Sequence, residues 1–156
     1  MTRPVVHTYR AAESGLYVNS YLIEGESGVV VVDTSLLVSD IEALRARLRA
    51  LKKPLLAILV THAHPDHFNG VHGLVQDKEV PVYASAGVGR VIGEIADAKR
   101  AQWSPVYGAE WPAETYYPNS VAGSGIVRQE RKRRPGRSEA AQKSARSTMT
   151  RNFAPV

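Results

Sequence analysis

The chain has 156 residues, enough for one domain rather than two comfortable ones. It has no cysteine, which excludes a disulfide scaffold and thiolate zinc sites and leaves His, Asp and Glu as the strong side-chain ligands for a transition metal. The formal charge of +5 is unevenly spread: residues 128–151 hold nine Lys/Arg against two Glu, while residues 1–127 hold 11 basic and 13 acidic groups, a net of −2, so one tail sets the pI.

The opening residues lack the apolar core of a secretory signal, and no stretch approaches the roughly 20 apolar residues of a membrane span. A soluble, cytoplasmic protein with no membrane partner is expected. Strand signals come first, at Val5 to Arg10, Leu16 to Glu24 and Val29 to Val32, separated by Ser14-Gly15 and by Gly25 to Gly28. The four consecutive valines are too apolar for a strand with one wet face and predict cover on both sides. Leu37, Ile41, Leu44, Leu48 and Leu51 then recur as one helical stripe, with Ser39 and Glu42 spaced as a capping box at its start.

Leu55 to Val60 reads as a second buried strand, and a histidine cluster follows at its C-terminal end, where α/β proteins tend to place their sites. Gly70 to Val75 predicts a short helix, Val80 to Ala84 a strand, and Val88, Val91, Ile92 and Ile95 an amphipathic helix capped by Ser85. From Ala101 to Asn119, Trp103-Ser-Pro, Trp111-Pro and Tyr116-Tyr-Pro predict a surface loop or lid rather than a core element. Trp103, Tyr107 and Trp111 could line a substrate pocket there, or could simply pin the loop to the core.

Three histidines and an aspartate within Thr61-His62-Ala63-His64-Pro65-Asp66-His67 fit neither helical nor strand patterning, since Pro65 interrupts a helix. A loop presenting ligands is the better reading. Imidazole and carboxylate are donors that Zn²⁺ or Fe²⁺ accepts, and alternate residues such as His62 and His64 can converge from one side of a turn. The bland alternative is a surface histidine cluster that binds adventitious metal.

His62-x-His64-x-Asp66-His67, after a hydrophobic strand and leading into Gly70, resembles the signature of the metallo-β-lactamase-fold superfamily. Asn19-Ser-Tyr-Leu-Ile and Val29 to Asp33 are also similar to that family's opening hairpin, so the resemblance covers about residues 5–100. It implies an α/β fold, a metallo-β-lactamase-like αββα sandwich, of which this chain holds the first half. It implies that His62 and His64 help bind one zinc, with iron as an alternative, and that Asp66 and His67 help bind another. Asp66 would also orient the water that the metals activate for attack on an ester, thioester, amide or phosphoester. Asp33 would receive hydrogen bonds near the ligand loop and hold it in place, or serve only as a strand-end turn residue. His7 is expected on an exposed strand, Asn19 as a turn partner, and His72 on a helix surface or behind the ligands.

The superfamily completes its site with a further histidine, a bridging aspartate and a last histidine downstream. In this chain no histidine follows His72 and Asp97 is the last aspartate. The expectation is therefore a metallo-β-lactamase-like N-terminal half over residues 1–120, followed by a disordered, Arg-rich tail over 121–156 of the kind a shifted frame or truncated coding region produces. Function follows as a metal-dependent hydrolase by descent, impaired in this form and acting on a small molecule if active. The alternatives are a non-catalytic remnant that binds metal or a partner, and a nucleic-acid binder through Arg131 to Arg134, although that tail lacks interleaved aromatics. A half sandwich would also expose its strands Val29 to Val32 and Leu55 to Val60 and favour homo-oligomers or aggregates.

The tail carries too little apolar surface to offset its ordering entropy. Limited trypsin digestion is expected to trim residues 125–156 before any other site is cut. Resistance of those arginines, with cleavage in the body, would contradict the assignment.

Overall fold

The structure is a computed structural model that describes residues 3–75 and 79–114, together with the backbone of Ser120–Val121. The rest of the predicted tail lies outside the described residues. Six strands form one sheet in the order β1 (Val5–Arg10), β2 (Asn19–Glu24), β3 (Val29–Val32), β4 (Leu55–Val60), β5 (Val82–Ala84) and β6 (Ser120–Val121). The first three pair antiparallel; from β3 onward the pairing is parallel. A parallel pair needs a crossover, and α1 (Val38–Ala50) supplies it between β3 and β4. Two short helices, α2 (Pro65–Phe68) and α3 (Val71–Val75), and one long helix, α4 (Ala86–Tyr107), flank β5. Among the described residues no helix is long and apolar enough to cross a membrane.

Strand register explains where the core lies. Leu22, Val31, Ile58 and Val82 are cross-strand partners in one row, so their side chains share a face of the sheet. All four are buried in one cluster with Leu44 and Leu48 of α1, Val71, Leu74 and Val75 of α3, and Ile92 and Ala96 of α4. Each fully buried aliphatic side chain contributes about 1.5–3 kcal/mol by leaving water. On the other face Tyr21, Ile23, Val30, Val32, Ala57, Leu59 and Tyr83 are only half-buried. The valine strand is thus sealed on one side and partly open on the other, not covered on both as its composition predicts.

Several boundaries differ from the sequence expectation for tertiary reasons. Leu16 and Tyr17 are not in a strand; they turn in the left-handed region at φ 62° and 54°. The Ser39–Glu42 capping box does not form. Leu37 occupies the cap position of α1, Glu42 pairs with Arg45 at 2.6 Å, and the Ser39 N–H donates to Glu110 Oε2 at 3.0 Å. Hydrogen bonds from Ser39 in turn lower the Glu110 carboxyl below the usual carboxylate range. Pro65 does not break a helix but begins one, at the first position, where its missing N–H has no partner to lose. The Ser85 cap is present, its Oγ accepting from Val88 N–H at 3.2 Å.

The largest difference is at residues 101–110. They are not a loop: α4 runs through Trp103 and Pro105 to Tyr107, and a single 3-10 turn, Gly108–Glu110, follows. Pro105 sits in the last turn, and Gly108 at φ 56° ends the helix with its N–H on Ser104 O. Residues 115–119 of the same predicted lid lie outside the described residues.

The helical segment after the histidines lies tightly against the exit of β3. A Cβ on Gly70 would collide with the Thr34 carbonyl oxygen and reach 2.8 Å from Ile41 Cγ1, whereas one on Gly93 in α4 would meet nothing within 4 Å. Gly70→Ala is therefore expected to lose about 1–3 kcal/mol of unfolding free energy, and Gly93→Ala to gain about 0.5–1 kcal/mol from helix propensity. Paired urea titrations measure both, and equal effects at the two positions would contradict the close approach.

Candidate metal centre

The candidate ligands follow directly from the end of β4. Val60 is the last strand residue, Thr61 leaves the sheet, and the chain then turns through His62, Ala63 and His64 into the one-turn helix α2 that carries Asp66 and His67. His62 and His64 are exposed, Asp66 and His67 half-buried. The His62 ring centroid lies 4.5 Å from that of His64 and 5.2 Å from that of His67, and Asp66 Oδ2 is 3.4 Å from His67 Nε2. The four predicted ligands are thus neighbours in space as well as in sequence.

Asp33 organises this group from the neighbouring strand end. Its side chain accepts the Thr61 N–H on Oδ1 at 2.9 Å and the Thr61 hydroxyl on Oδ2 at 2.6 Å. Oδ2 is also 2.9 Å from His67 Nδ1, a charge contact whose alignment falls short of a hydrogen bond. Asp33 is 4% exposed and takes φ 57°, a left-handed turn that aspartate tolerates better than most residues. The Asp33 carboxylate raises the His67 pKa above the ordinary histidine value, desolvation opposes this, and the charges of Asp33 and Asp66 add to the rise. The His67 carbonyl in turn accepts from Thr34 N–H at 3.0 Å and Thr34 Oγ1 at 3.1 Å, so α2 is tied to β3 by backbone and side chain alike.

Of the other polar residues singled out by sequence, none joins the group. His7 is half-buried rather than exposed and meets Glu24 at 2.8 Å; Asn19 begins β2 at the surface; His72 pairs with Glu114 at 3.0 Å on the outside of α3. Sequence reasoning missed three buried polar residues beside the ligands: Thr34, Ser35, whose Oγ is 3.1 Å from Ser20 Oγ, and Asn69. The run Asp33-Thr34-Ser35 directly after four valines was the available signal, because hydroxyls at a strand exit are ready partners for backbone groups.

A cavity of about 270 Å³ opens beside His64, Pro65 and Asp66, walled by Leu16, Leu36, Lys99, Trp103, Tyr107 and Trp111. Lys99 carried no signal in the sequence, since a lone helix lysine is usually solvated. Trp111, 6% exposed, packs with Leu36, Leu37 and Tyr107, so the aromatic residues both pin the segment after α4 and line a pocket.

Three imidazoles and a carboxylate are the nitrogen and oxygen donors that zinc or a similar divalent metal takes, so the donor chemistry fits a metal. Their present geometry does not complete a site: among the described residues no three His, Asp or Glu donors converge on one point.

Comparison with known proteins agrees with this architecture. The sequence profile of the Metallo-beta-lactamase superfamily matches residues 14–131. An (R)-specific secondary-alkylsulfatase of Pseudomonas sp is 37% identical over 67 residues, covering 40% of this chain and 10% of the relative. A hydroxyacylglutathione hydrolase of Alkalilimnicola ehrlichii is 49% identical over 47 residues, 30% of this chain and 18% of the relative. Among solved structures, a beta-lactamase domain protein from Burkholderia ambifaria superposes with a TM-score of 0.54 at 22% identity, over 79% of this chain and 42% of its own. This chain therefore spans less than half of that structure and about a tenth of the alkylsulfatase. With its fold shared and its profile matched over most of its length, the chain belongs to the metallo-beta-lactamase superfamily.

Proposed function

We propose that His62, His64, Asp66 and His67 bind zinc as the first ligand set of a metal-dependent hydrolase acting on an ester, thioester, amide or phosphoester bond. The observation that supports this reading is the gathering of three imidazole rings and a carboxylate at the end of β4, on a segment that Asp33 ties to β3. Superfamily relatives named as alkylsulfatase, exodeoxyribonuclease and hydroxyacylglutathione hydrolase agree with hydrolysis as the class of reaction. When bound, the metal supplies Lewis-acid activation of water. The chain itself supplies orientation: Asp33 faces Nδ1 of His67, leaving Nε2 toward Asp66, and fixes the Thr61 backbone from which His62 departs.

Counting donors sets the strength of the site. His62 and His64 would offer two donors to one metal and Asp66 and His67 two to another, so zinc held by these residues alone would be held loosely. Titration calorimetry is expected to show measurable zinc binding that disappears in the His62→Ala/His64→Ala variant. Hydrolysis of simple esters and lactams is expected near background, because a loosely fixed metal does not hold its nucleophile in reacting geometry. Robust zinc-dependent turnover, abolished by Asp66→Ala, would show instead that the site is complete.

The Asp33 contacts make a separate prediction. Removing the group that orients a ligand typically weakens metal binding about 10–100-fold. Asp33→Ala is expected to lose zinc affinity in that range; an unchanged dissociation constant in a folded variant would reduce Asp33 to a turn residue.

A further inference from the structure

The cavity beside the histidines has a composition that selects a ligand. Lys99, Trp103 and Tyr107 are spaced four residues apart on α4, so they form one stripe rising about 6 Å per step. The rings continue the stripe: Trp103 and Tyr107 centroids are 6.1 Å apart, and Tyr107 stacks on Trp111 at 6.1 Å with 26° between planes. Lys99 ends this aromatic strip and makes no ion pair or hydrogen bond among the described residues, although Asp66 lines the same cavity. The buried Trp111 indole N–H also has no acceptor among them.

Leu16 shares the cavity with the strip. It is 59% exposed, lines the cavity, and holds a left-handed φ of 62°, next to Tyr17 at 54°. A non-glycine residue persists in this conformation only where its surroundings enforce it. Those surroundings are visible. Asp40 Oδ1 accepts from the Tyr9 hydroxyl at 2.7 Å and from Ala12 N–H at 3.4 Å, and Gly15 packs so closely on Asp40 that a Cβ would strike its Oδ2. The loop is fastened from beneath, and a large apolar side chain is held over the cavity at the expense of backbone strain.

We propose that this cavity binds an amphiphilic organic anion, with Lys99 on the sulfate or carboxylate group and Leu16, Leu36, Trp103, Tyr107 and Trp111 around an alkyl or aryl body. Its volume of about 270 Å³ lies just below the roughly 300–1,000 Å³ of drug-sized sites, which suits a short chain or a single ring. The substrate class rests on the hydrolase reading, since His64 and Asp66 share the cavity wall, but binding does not require turnover.

Trp103 and Trp111 are the two tryptophans of the chain, so intrinsic fluorescence reports this cavity directly. The probes are hexyl sulfate, hexanol and inorganic sulfate, each titrated into the full chain with and without zinc while circular dichroism follows the fold. Hexyl sulfate is expected to change the emission saturably and to bind about tenfold more tightly than hexanol, the worth of one charge-assisted contact; sulfate alone is expected to leave the emission unchanged. Lys99→Met keeps the apolar stem and is expected to equalise hexyl sulfate and hexanol, whereas Trp103→Ala, at a position 36% exposed, is expected to weaken both. Equal affinity of the wild type for hexyl sulfate and hexanol, or sulfate binding as tightly as hexyl sulfate, overturns the proposal, as does a Lys99→Met variant that still prefers the anion. Tryptophan binding signals in a chain that binds no zinc would sink the metal-site reading alone; zinc binding with no such signal would sink this one alone.

Discussion

The carboxylate of Asp33 is the point at which the sheet becomes a site. β3 and β4 are parallel neighbours, so their C-terminal ends emerge side by side, and side chains leaving one strand can reach the backbone leaving the other. Asp33 uses that proximity fully: one carboxylate meets the Thr61 amide, the Thr61 hydroxyl and the His67 ring. A buried carboxylate without partners would be costly, and here each partner is also a part of the histidine-bearing segment. Satisfying the charge and positioning the histidines are therefore the same event. Thr34 adds two donors to the His67 carbonyl, so α2 cannot drift from the strand end without exposing a buried polar pair.

Strain collects around the same strand exits. Asp33 and Ser35 are left-handed at φ 57° and 70°, and Leu16 and Tyr17 at φ 62° and 54° on the adjoining loop. The restraints that hold them are short polar contacts buried under the helices. Tyr9 illustrates their strength: burial, followed by the hydrogen bond to Asp40, pushes its phenol up to about 12, so the neutral, donating form is the one the fold selects. The contact joins β1 to the first turn of α1, and through Ala12 and Gly15 it sets the height of the loop over the cavity. The histidine-bearing segment and the cavity wall are thus both built from strand ends anchored by an aspartate, Asp33 in one case and Asp40 in the other.

What could be read from sequence was what local pattern controls. The stripe from Leu37 to Leu51, the strands Val29 to Val32 and Leu55 to Val60, and the Ser85 cap each depend on residues a few positions apart. The histidine motif was legible because its chemistry is compact, four donors within six residues. The misreadings share a different cause. Ser39 and Glu42 have capping-box spacing, but Glu110, distant in sequence, takes the role at the start of α1. Prolines between Ala101 and Asn119 suggested a loop, yet Trp103 and Tyr107 stand at helical spacing and Trp111 is anchored on Leu36 and Leu37, contacts that make the helix worth extending. Lys99 was invisible because its meaning depends on the aromatic strip and on Asp66 across the cavity.

The valine strand shows how a failed expectation still reports a physical demand. Four consecutive valines predict cover on both faces, and helices supply it on one. On the other, the rows Ile23–Val30–Ala57 and Tyr21–Val32–Leu59–Tyr83 run across four strands with apolar side chains that remain half-exposed. An apolar sheet face requires a second layer, because the free energy of burying it is otherwise unrealised.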